Sequence, residues 1–390
     1  MITVEEALAK IDENVKAGNP IQMDLLKAFN LVLAGDVFSP LDMPPFPQSA
    51  MDGYAVKLST TNVFKYVGEI KAGDSKEPQL NVGEAIRIFT GAPVPKAADV
   101  VVRQEDCKIE GNEVKIEPIP SQGANIRPQA EQIANGEVAL QKGQLLNAAA
   151  VGYLATLGIT QVQVYANPKV ALLVTGNELV APGTELNYGQ VYESNAVMLQ
   201  SALKTYGINE CSVYRVKDDY EETKVQLKEL LAQYDMILCS GGISVGDYDF
   251  VGKALHELNV EEIFYKIKQK PGKPLFFGKK ENTLVFALPG NPAAALTCFN
   301  VYVVKTLNIL CAKRTEGHRR VYKKINKDFT RKGDRAQFLK AAICGEEVAF
   351  LEGQSSAMLH TYAVSNTLIY VPIDKDSIAK GELVECILIG

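Results

Sequence analysis

Between about residues 167 and 311 the chain alternates apolar, strand-like runs with helical segments, and this alternation limits its fold more than any other feature. The run 170–174 is uninterruptedly apolar, the pattern of a strand buried on both faces. Ser194 or Asn195 can cap a helix that runs to Tyr206 and stops at Gly207. A helix over 219–233, a strand at 236–238, a helix from Phe250, a strand at 284–288 and a helix over 292–310 follow. Strands and helices taking turns in this way predict a doubly wound, mostly parallel sheet.

At 390 residues the chain exceeds what one core fills, and the text on either side of the alternating stretch changes character. Residues 1–38 read as mostly helical, with Val4, Ala7, Leu8 and Ile11 on one face of a first helix. From 39 to about 140, short β-type runs (86–89, 100–103, 114–116) are broken by Pro and Gly. A helix over 148–157 lies between Asn147, an N-cap candidate, and Gly158. From 312 onward strands return (336–343, 367–371, 383–389), which predicts a small C-terminal β domain.

Several function classes are disfavoured at once. A formal net charge of -5 argues against a general nucleic-acid partner, because neutralising phosphates needs a basic face. The most apolar stretch noted, 148–159, is about half the length a bilayer crossing needs, and the N-terminus lacks the basic start and apolar run of a signal peptide. The seven cysteines stand singly at 107, 211, 239, 298, 311, 344 and 386, with three histidines and no Cys-x-x-Cys pair. That is the pattern of a reduced, cytoplasmic protein without a structural zinc site, its thiols packing as small hydrophobes.

Open α/β sheets bind ligands outside the carboxyl ends of their strands, and three strand ends carry unusual loops. They are Thr175-Gly176-Asn177-Glu178, Ser240-Gly241-Gly242-Ile243-Ser244-Val245-Gly246-Asp247-Tyr248-Asp249, and Pro289-Gly290-Asn291-Pro292. Gly241, Gly242 and Gly246 let backbone N–H groups turn toward an anion. Asn291 is placed to cap a helix whose first residue is Pro292, so that its free amides face the same crevice. Glu178, Asp247 and Asp249 beside a phosphate cradle suit a divalent cation such as Mg²⁺. Taken singly each loop is an ordinary βα connection; together they point to a nucleotide or phosphate.

Just before the third of these strands, Lys266, Lys268 and Lys270 would share one face of an extended strand, with Lys273 carried on a Pro-Gly turn. Lysines guarding a sheet edge explain such a run, and so does a seat for a small oxyanion, which also accounts for the rigid spacer. Earlier in the chain, Asp52-Gly53 alone reads as a hairpin turn, and the segment beginning Thr90-Gly91-Ala92-Pro93 as a stiff surface loop.

Read in order, PPFPQSAMDGYA, TGAPVPKAADVVVRQED, VALLVTGNEL, GQVYESN, SGGISVGDYDF, KPGKP and LPGNP resemble the molybdopterin molybdenumtransferase family, which includes the C-terminal part of gephyrin. The likeness runs from about residue 40 to 310 and continues more loosely through Gly333-Asp334-Arg335 and the segment Gln354-Ser355-Ser356. It implies four domains: an elongated helical domain from 1–38 and 140–166, a β-rich domain inserted at 39–139, an α/β molybdopterin-binding domain at 167–311 resembling adenylyltransferases, and a β domain at 312–390. It implies a homodimer in which the β-rich domain of one subunit completes the crevice of the other.

The resemblance further implies that adenylylated molybdopterin and molybdate are the substrates, Mg²⁺ the cofactor and a molybdopterin adenylyltransferase the upstream partner. Asp52, Thr90, Glu178, Asp218, Asp249, Lys266 and Lys270 match functionally important positions. Lys270, Lys273, Arg335 and Ser356 match positions tied to molybdate or anion binding, and Gly176, Ser240, Gly241, Gly242, Ser244, Gly246, Pro289, Gly290, Asn291 and Pro292 fall in the matching substrate loops. Two positions depart from the family text: Gln132 replaces a carboxylate, and Ala293-Ala294 replace Val-Ser after Gly-Asn-Pro. Two other readings compete. An adenylyltransferase would need only the α/β stretch, and a non-catalytic scaffold would need neither the acidic nor the lysine positions.

Overall fold

The computed structural model of the chain describes residues 1–75, 77–243, 250–314 and 317–389. Contacts divide it into two compact units, one comprising Met1–Ile21, Asn30–Val32 and Gln163–Gly390, the other Gln22–Phe29 and Leu33–Val162.

The first unit begins with α1 (Val4–Asn14), whose Thr3 and Glu6 form a reciprocal capping box and whose Val4, Ala7 and Ile11 are buried. The expected helical continuation to residue 38 does not form. Gly18-Asn19-Pro20 ends the helical pattern, and short strands at Pro20–Asp24, Val32–Leu33 and Val37–Phe38 follow.

A six-stranded sheet lies at the centre of this unit. Its strands are β1 (Val170–Thr175), β2 (Cys211–Val216), β3 (Met236–Ser240), β4 (Glu261–Tyr265), β5 (Phe276–Lys280) and β6 (Thr283–Leu288), in the order β2-β1-β3-β6-β5-β4. The first four in that order pair parallel, and β5 and β4 add antiparallel at one edge. Every residue of β1, β3 and β6 is buried, as continuous apolar runs require, with side chains alternating between two cores. Leu172 and Leu238 belong to one of these cores, Leu173 and Cys239 to the other. On this frame lie α2 (Asn195–Thr205), α3 (Tyr220–Gln233), α4 (Phe250–Glu257) and α5 (Pro292–Cys298).

The helix from Pro292 runs on through a π-helical turn, Phe299–Val303, to Leu310. By length and composition this segment, rather than 148–159, is apolar enough to cross a membrane; 83% of it is buried inside the fold, as in a core helix.

The last part of the unit is a closed five-stranded barrel. Ala336–Cys344 pairs with Glu347–Phe350, which is followed around by Arg320–Ile325, Leu383–Leu388 and Thr367–Val371, and the last pairs back onto Ala336–Cys344. Ile325, Leu339, Val348, Ile369 and Val384 fill its interior. The two-residue strand Gln269–Lys270 adds parallel to Ala336–Gln337, tying the lysine segment to the barrel.

In the second unit a six-stranded sheet runs Val100–Arg103, Gly53–Val56, Glu84–Ile88, Val63–Ile70, Glu113–Ile116, Cys107–Glu110. Alternation holds here as well: Tyr54 and Val56 enter one core, Ala55, Ile86 and Ile88 the other. Asp52-Gly53 is not a hairpin turn. The strand it opens pairs with Glu84–Ile88 and Val100–Arg103, far along the chain, and a Cβ at Gly53 would sit 1.8 Å from the Val102 carbonyl oxygen. Asn147 caps the helix Ala148–Thr156, and Gly158 follows it with φ of 74°.

All seven cysteines are free. Four are buried, Cys107 and Cys211 are half-buried, and Cys344 is exposed, so the packing role expected of them all holds in the interior. Burial pushes the Cys239 thiol up to about 12, which keeps it unreactive.

Candidate functional site

The carboxyl ends of β1, β2, β3 and β6 open into one cavity of about 1000 Å³. Its walls are built by loops that the sheet delivers side by side and that a few polar side chains tie together. Asn177 and Asp218 bracket each other: the Asn177 N–H donates to Asp218 Oδ2 (3.0 Å), and the Asp218 N–H to Asn177 Oδ1 (3.2 Å). Loops following neighbouring strands are thereby locked, leaving Glu178 and Asp218 on the cavity wall.

Asn195 does not act as the helix cap expected of it. Its Nδ2 donates to Ser240 Oγ and to the Gly290 carbonyl, both at 2.8 Å, joining the loops after β3 and β6. The N-terminal amide of α2 is satisfied by Glu193 instead, whose Oε1 accepts from the Ala196 N–H at 2.7 Å. Asn291 likewise makes no side-chain cap bond; its Nδ2 donates to Ser356 Oγ at 3.0 Å, while the Ala294 N–H reaches the Ser356 carbonyl at 3.2 Å.

Gly241 has φ of 92°, and a Cβ there would lie 2.8 Å from the Thr175 carbonyl oxygen, so backbone passes backbone at this point. Gly176, Ser240, Gly242, Pro289, Gly290 and Pro292 line the same cavity. Three buried oxygens on its wall stand out: Thr175 Oγ1 and Asn195 Oδ1 have no hydrogen-bond partner among the described residues, and Glu193 Oε2 has only the Arg215 guanidinium at 3.8 Å. Buried polar atoms are ordinarily satisfied, so acceptors left over on a cavity wall are available to a bound molecule or water.

The other wall is cationic. Lys270, Lys273 and Arg335 line it, with Gln354, Ser355 and Ser356. The lysine run is not one extended strand. Lys266 takes a left-handed backbone (φ 64°), lies outside the cavity lining, and sets its ammonium 4.5 Å from the Tyr265 ring centroid. Ile267 and Gln269 point inward and are fully buried.

Gln269 is the residue that sequence reasoning missed. Its Nε2 donates to the Pro271 (3.0 Å) and Gly272 (3.1 Å) carbonyls, and its Oε1 accepts from the Tyr302 hydroxyl. One side chain thus fixes the turn between the two cavity lysines. Pairing of Gln269–Lys270 with Ala336–Gln337 brings Arg335 alongside, its Nη1 3.4 Å from the Gln269 carbonyl. Changing Gln269 to Leu leaves these groups unpaired in the interior, an expected loss of about 2–4 kcal/mol. Denaturant unfolding measures that loss; an unchanged midpoint contradicts the clamp.

Asp52 and Thr90 belong to the second unit. The Thr90 N–H and hydroxyl both donate to Asp52 Oδ1 at 2.8 Å, and these bonds, the backbone one first, hold the carboxyl below its ordinary pKa. Ser244, Gly246, Asp247 and Asp249 lie outside the described residues.

Three family models match the chain in order: MoeA N-terminal region (domain I and II) over residues 2–158, probable molybdopterin binding domain over 171–309, and MoeA C-terminal region (domain IV) over 324–389. Among curated relatives, a molybdopterin molybdenumtransferase of Haemophilus influenzae is 35% identical over 304 residues, covering 77% of this chain and 75% of that protein. Molybdopterin molybdenumtransferase 2 of Mycobacterium tuberculosis is 32% identical over 399 residues, covering 98% of each chain. Two crystal structures of a molybdopterin biosynthesis MoeA protein from Pyrococcus horikoshii are similar throughout. They have TM-scores of 0.84 and 0.81 at 30% and 28% identity, covering 100% of this chain and 99% and 100% of theirs.

Proposed function

This chain belongs to the MoeA family of molybdopterin molybdenumtransferases, and from that premise we propose that its cavity seats both reactants of molybdenum insertion at once. Adenylylated molybdopterin and molybdate enter; molybdenum cofactor and AMP leave. The observation that carries this reading is the pairing, in one cavity, of glycine-lined strand ends with a wall of Lys270, Lys273 and Arg335. Relatives that match along the whole chain favour this step over the adenylyltransfer that the α/β stretch alone would suffice for.

In this proposal Gly176, Ser240, Gly241, Gly242 and the Pro289–Pro292 loop, with Ser244 and Gly246, receive the adenylylated phosphates through backbone amides. Lys270, Lys273, Arg335 and Ser356 hold molybdate, a tetrahedral dianion, beside the dithiolene sulfurs, which makes metal transfer effectively intramolecular. Fixed positive charge stabilises AMP as it departs. Asp218 orders the wall through Asn177, and Lys266, which matches a functionally important family position, stands outside the cavity lining with its ammonium over the Tyr265 ring. Magnesium, when bound, neutralises phosphate charge, and Glu178 with Asp247 and Asp249 would hold it through the hard oxygen donors it prefers. Among the described residues no three His, Cys, Asp or Glu side chains meet in a metal-binding group.

The proposal keeps the four domains, at 1–38 with 140–166, 39–139, 167–311 and 312–390. It extends to a cytoplasmic homodimer in which Asp52 and Thr90 complete the partner subunit's cavity, with an adenylyltransferase upstream and neither nucleic acid nor membrane as partner. Purified protein should release AMP from adenylylated molybdopterin in a molybdate-dependent way and should not consume ATP with free molybdopterin; the reverse preference overturns the assignment. Mixing equal amounts of Asp52→Asn and Lys270→Ala protein, once subunit exchange is shown, should restore about a quarter of wild-type activity, because about half of the dimers are then mixed and each mixed dimer carries one intact site of its two. No recovery counts against sharing.

A further inference from the structure

Lys340 plays no part in the reaction as described, yet it is buried, with 2% of its surface exposed, in the strand Ala336–Cys344. An ammonium stripped of water needs its three protons accepted. Here Nζ donates to the carbonyl oxygens of Gly353 (2.8 Å), Ser355 (3.2 Å) and Met358 (2.9 Å). Among the described residues no carboxylate pairs with it. Its main chain grips the same segment: the Lys340 N–H donates to Gln354 Oε1 (3.0 Å), and Gln354 Nε2 donates to the Lys340 carbonyl (2.8 Å).

The segment so gripped delivers Gln354, Ser355 and Ser356 to the cavity, and Ser356 meets the loop after β6 through its bonds with Asn291 and Ala294. Three carbonyls converge on one nitrogen, and only an ammonium supplies three donors from a single atom. A neutral side chain would leave at least one carbonyl unpaired and free the segment to move.

We propose that Lys340 is a positioning residue for molybdate: without touching the anion, it presets the 353–358 segment so that Ser356 faces the seat formed by Lys270, Lys273 and Arg335. This rests on the reading that the cavity holds molybdate. It is a role that burial hides, since the residue is absent from the lining of the cavity it serves and is almost wholly shielded from solvent.

The experiment is a set of steady-state molybdate titrations of Lys340→Met, Lys340→Arg, Ser356→Ala and the Lys340→Met/Ser356→Ala pair. Lys340→Met should raise the KM for molybdate about tenfold, with kcat at saturating molybdate and the KM for adenylylated molybdopterin within about twofold of wild type. Lys340→Arg should recover part of that loss, because it keeps charge and donors in a different geometry. In the Ser356→Ala background Lys340→Met should add less than about twofold, since both changes remove one seat.

An unmoved molybdate KM, a fully multiplicative pair, or an equal loss in kcat and in pterin affinity overturns the proposal. Should Lys340→Met fail to fold, Lys340→Gln, which keeps two donors, takes its place; failure of both to fold also overturns it, marking a residue of the fold alone. Wild-type protein with no molybdate-dependent turnover would count against the reading of the cavity. Normal wild-type turnover with insensitive variants would count against Lys340 only.

Discussion

Replacing Lys270 and Lys273 together with alanine is expected to lower kcat/KM for molybdate by about 10²-fold, while AMP binding stays within a few-fold of wild type. Hydrogen bonds to charged groups contribute about 1.5–3 kcal/mol each. The lower end applies because both lysines are exposed and partly screened by salt. Two contacts at about 1.5 kcal/mol each give the stated factor. Raising ionic strength should therefore erode wild-type molybdate affinity more than that of the double variant. Steady-state titration with molybdate, beside calorimetric titration with AMP, checks both halves. An equal loss in AMP affinity would mean that the cationic wall serves the nucleotide instead.

Gly241→Ala should do the opposite: AMP and adenylylated molybdopterin affinity should fall about 10²-fold or more, with molybdate binding nearly intact. Two penalties add. A side chain at φ of 92° is strained, and the new Cβ would overlap the Thr175 carbonyl 2.8 Å away, so the loop must move, at a cost of about 2–4 kcal/mol. Gly183→Ala is the matching control, because Gly183 has the same φ of 92° and nothing lies within 4 Å of where its methyl would sit. It should leave AMP binding unchanged. If both variants bind AMP as wild type does, the loop after β3 does not cradle the nucleotide.

These two predictions use residues that were legible in the sequence, for a physical reason. Backbone requirements and charge density leave local marks: a strand-end glycine pair, a Pro-Gly turn between lysines, apolar runs at 170–174 and 284–288. The central parallel strands β1, β3 and β6 could therefore be anticipated. The edge strands β2 and β4 and the inner antiparallel strand β5 could not, because half-exposed strands such as Cys211–Val216 carry mixed polarity, and β5 carries a glycine and two lysines.

Ties between remote segments leave no local mark at all. Gln269 sits among lysines and reads as one more surface residue, yet it is the clamp beneath them. Asn195 reads as a cap, but its amide joins two other loops, and nothing beside Lys340 in the sequence marks it as buried. Lys266 erred the other way: alternation placed it with Lys270, but its left-handed backbone takes it out of register. Only when the barrel strand Ala336–Gln337 pairs with Gln269–Lys270 do Arg335 and Ser356 acquire a common purpose with the lysines.

The most direct test is a crystal structure with molybdate and AMP soaked in together, the metal located by its anomalous signal. The molybdate oxygens should appear within hydrogen-bonding reach of Lys270, Lys273, Arg335 and Ser356, with the AMP phosphate against Gly241 and Gly242 in the same cavity. Molybdate bound away from those side chains, or the AMP phosphate seated on the lysines to its exclusion, would contradict a site built for two anions.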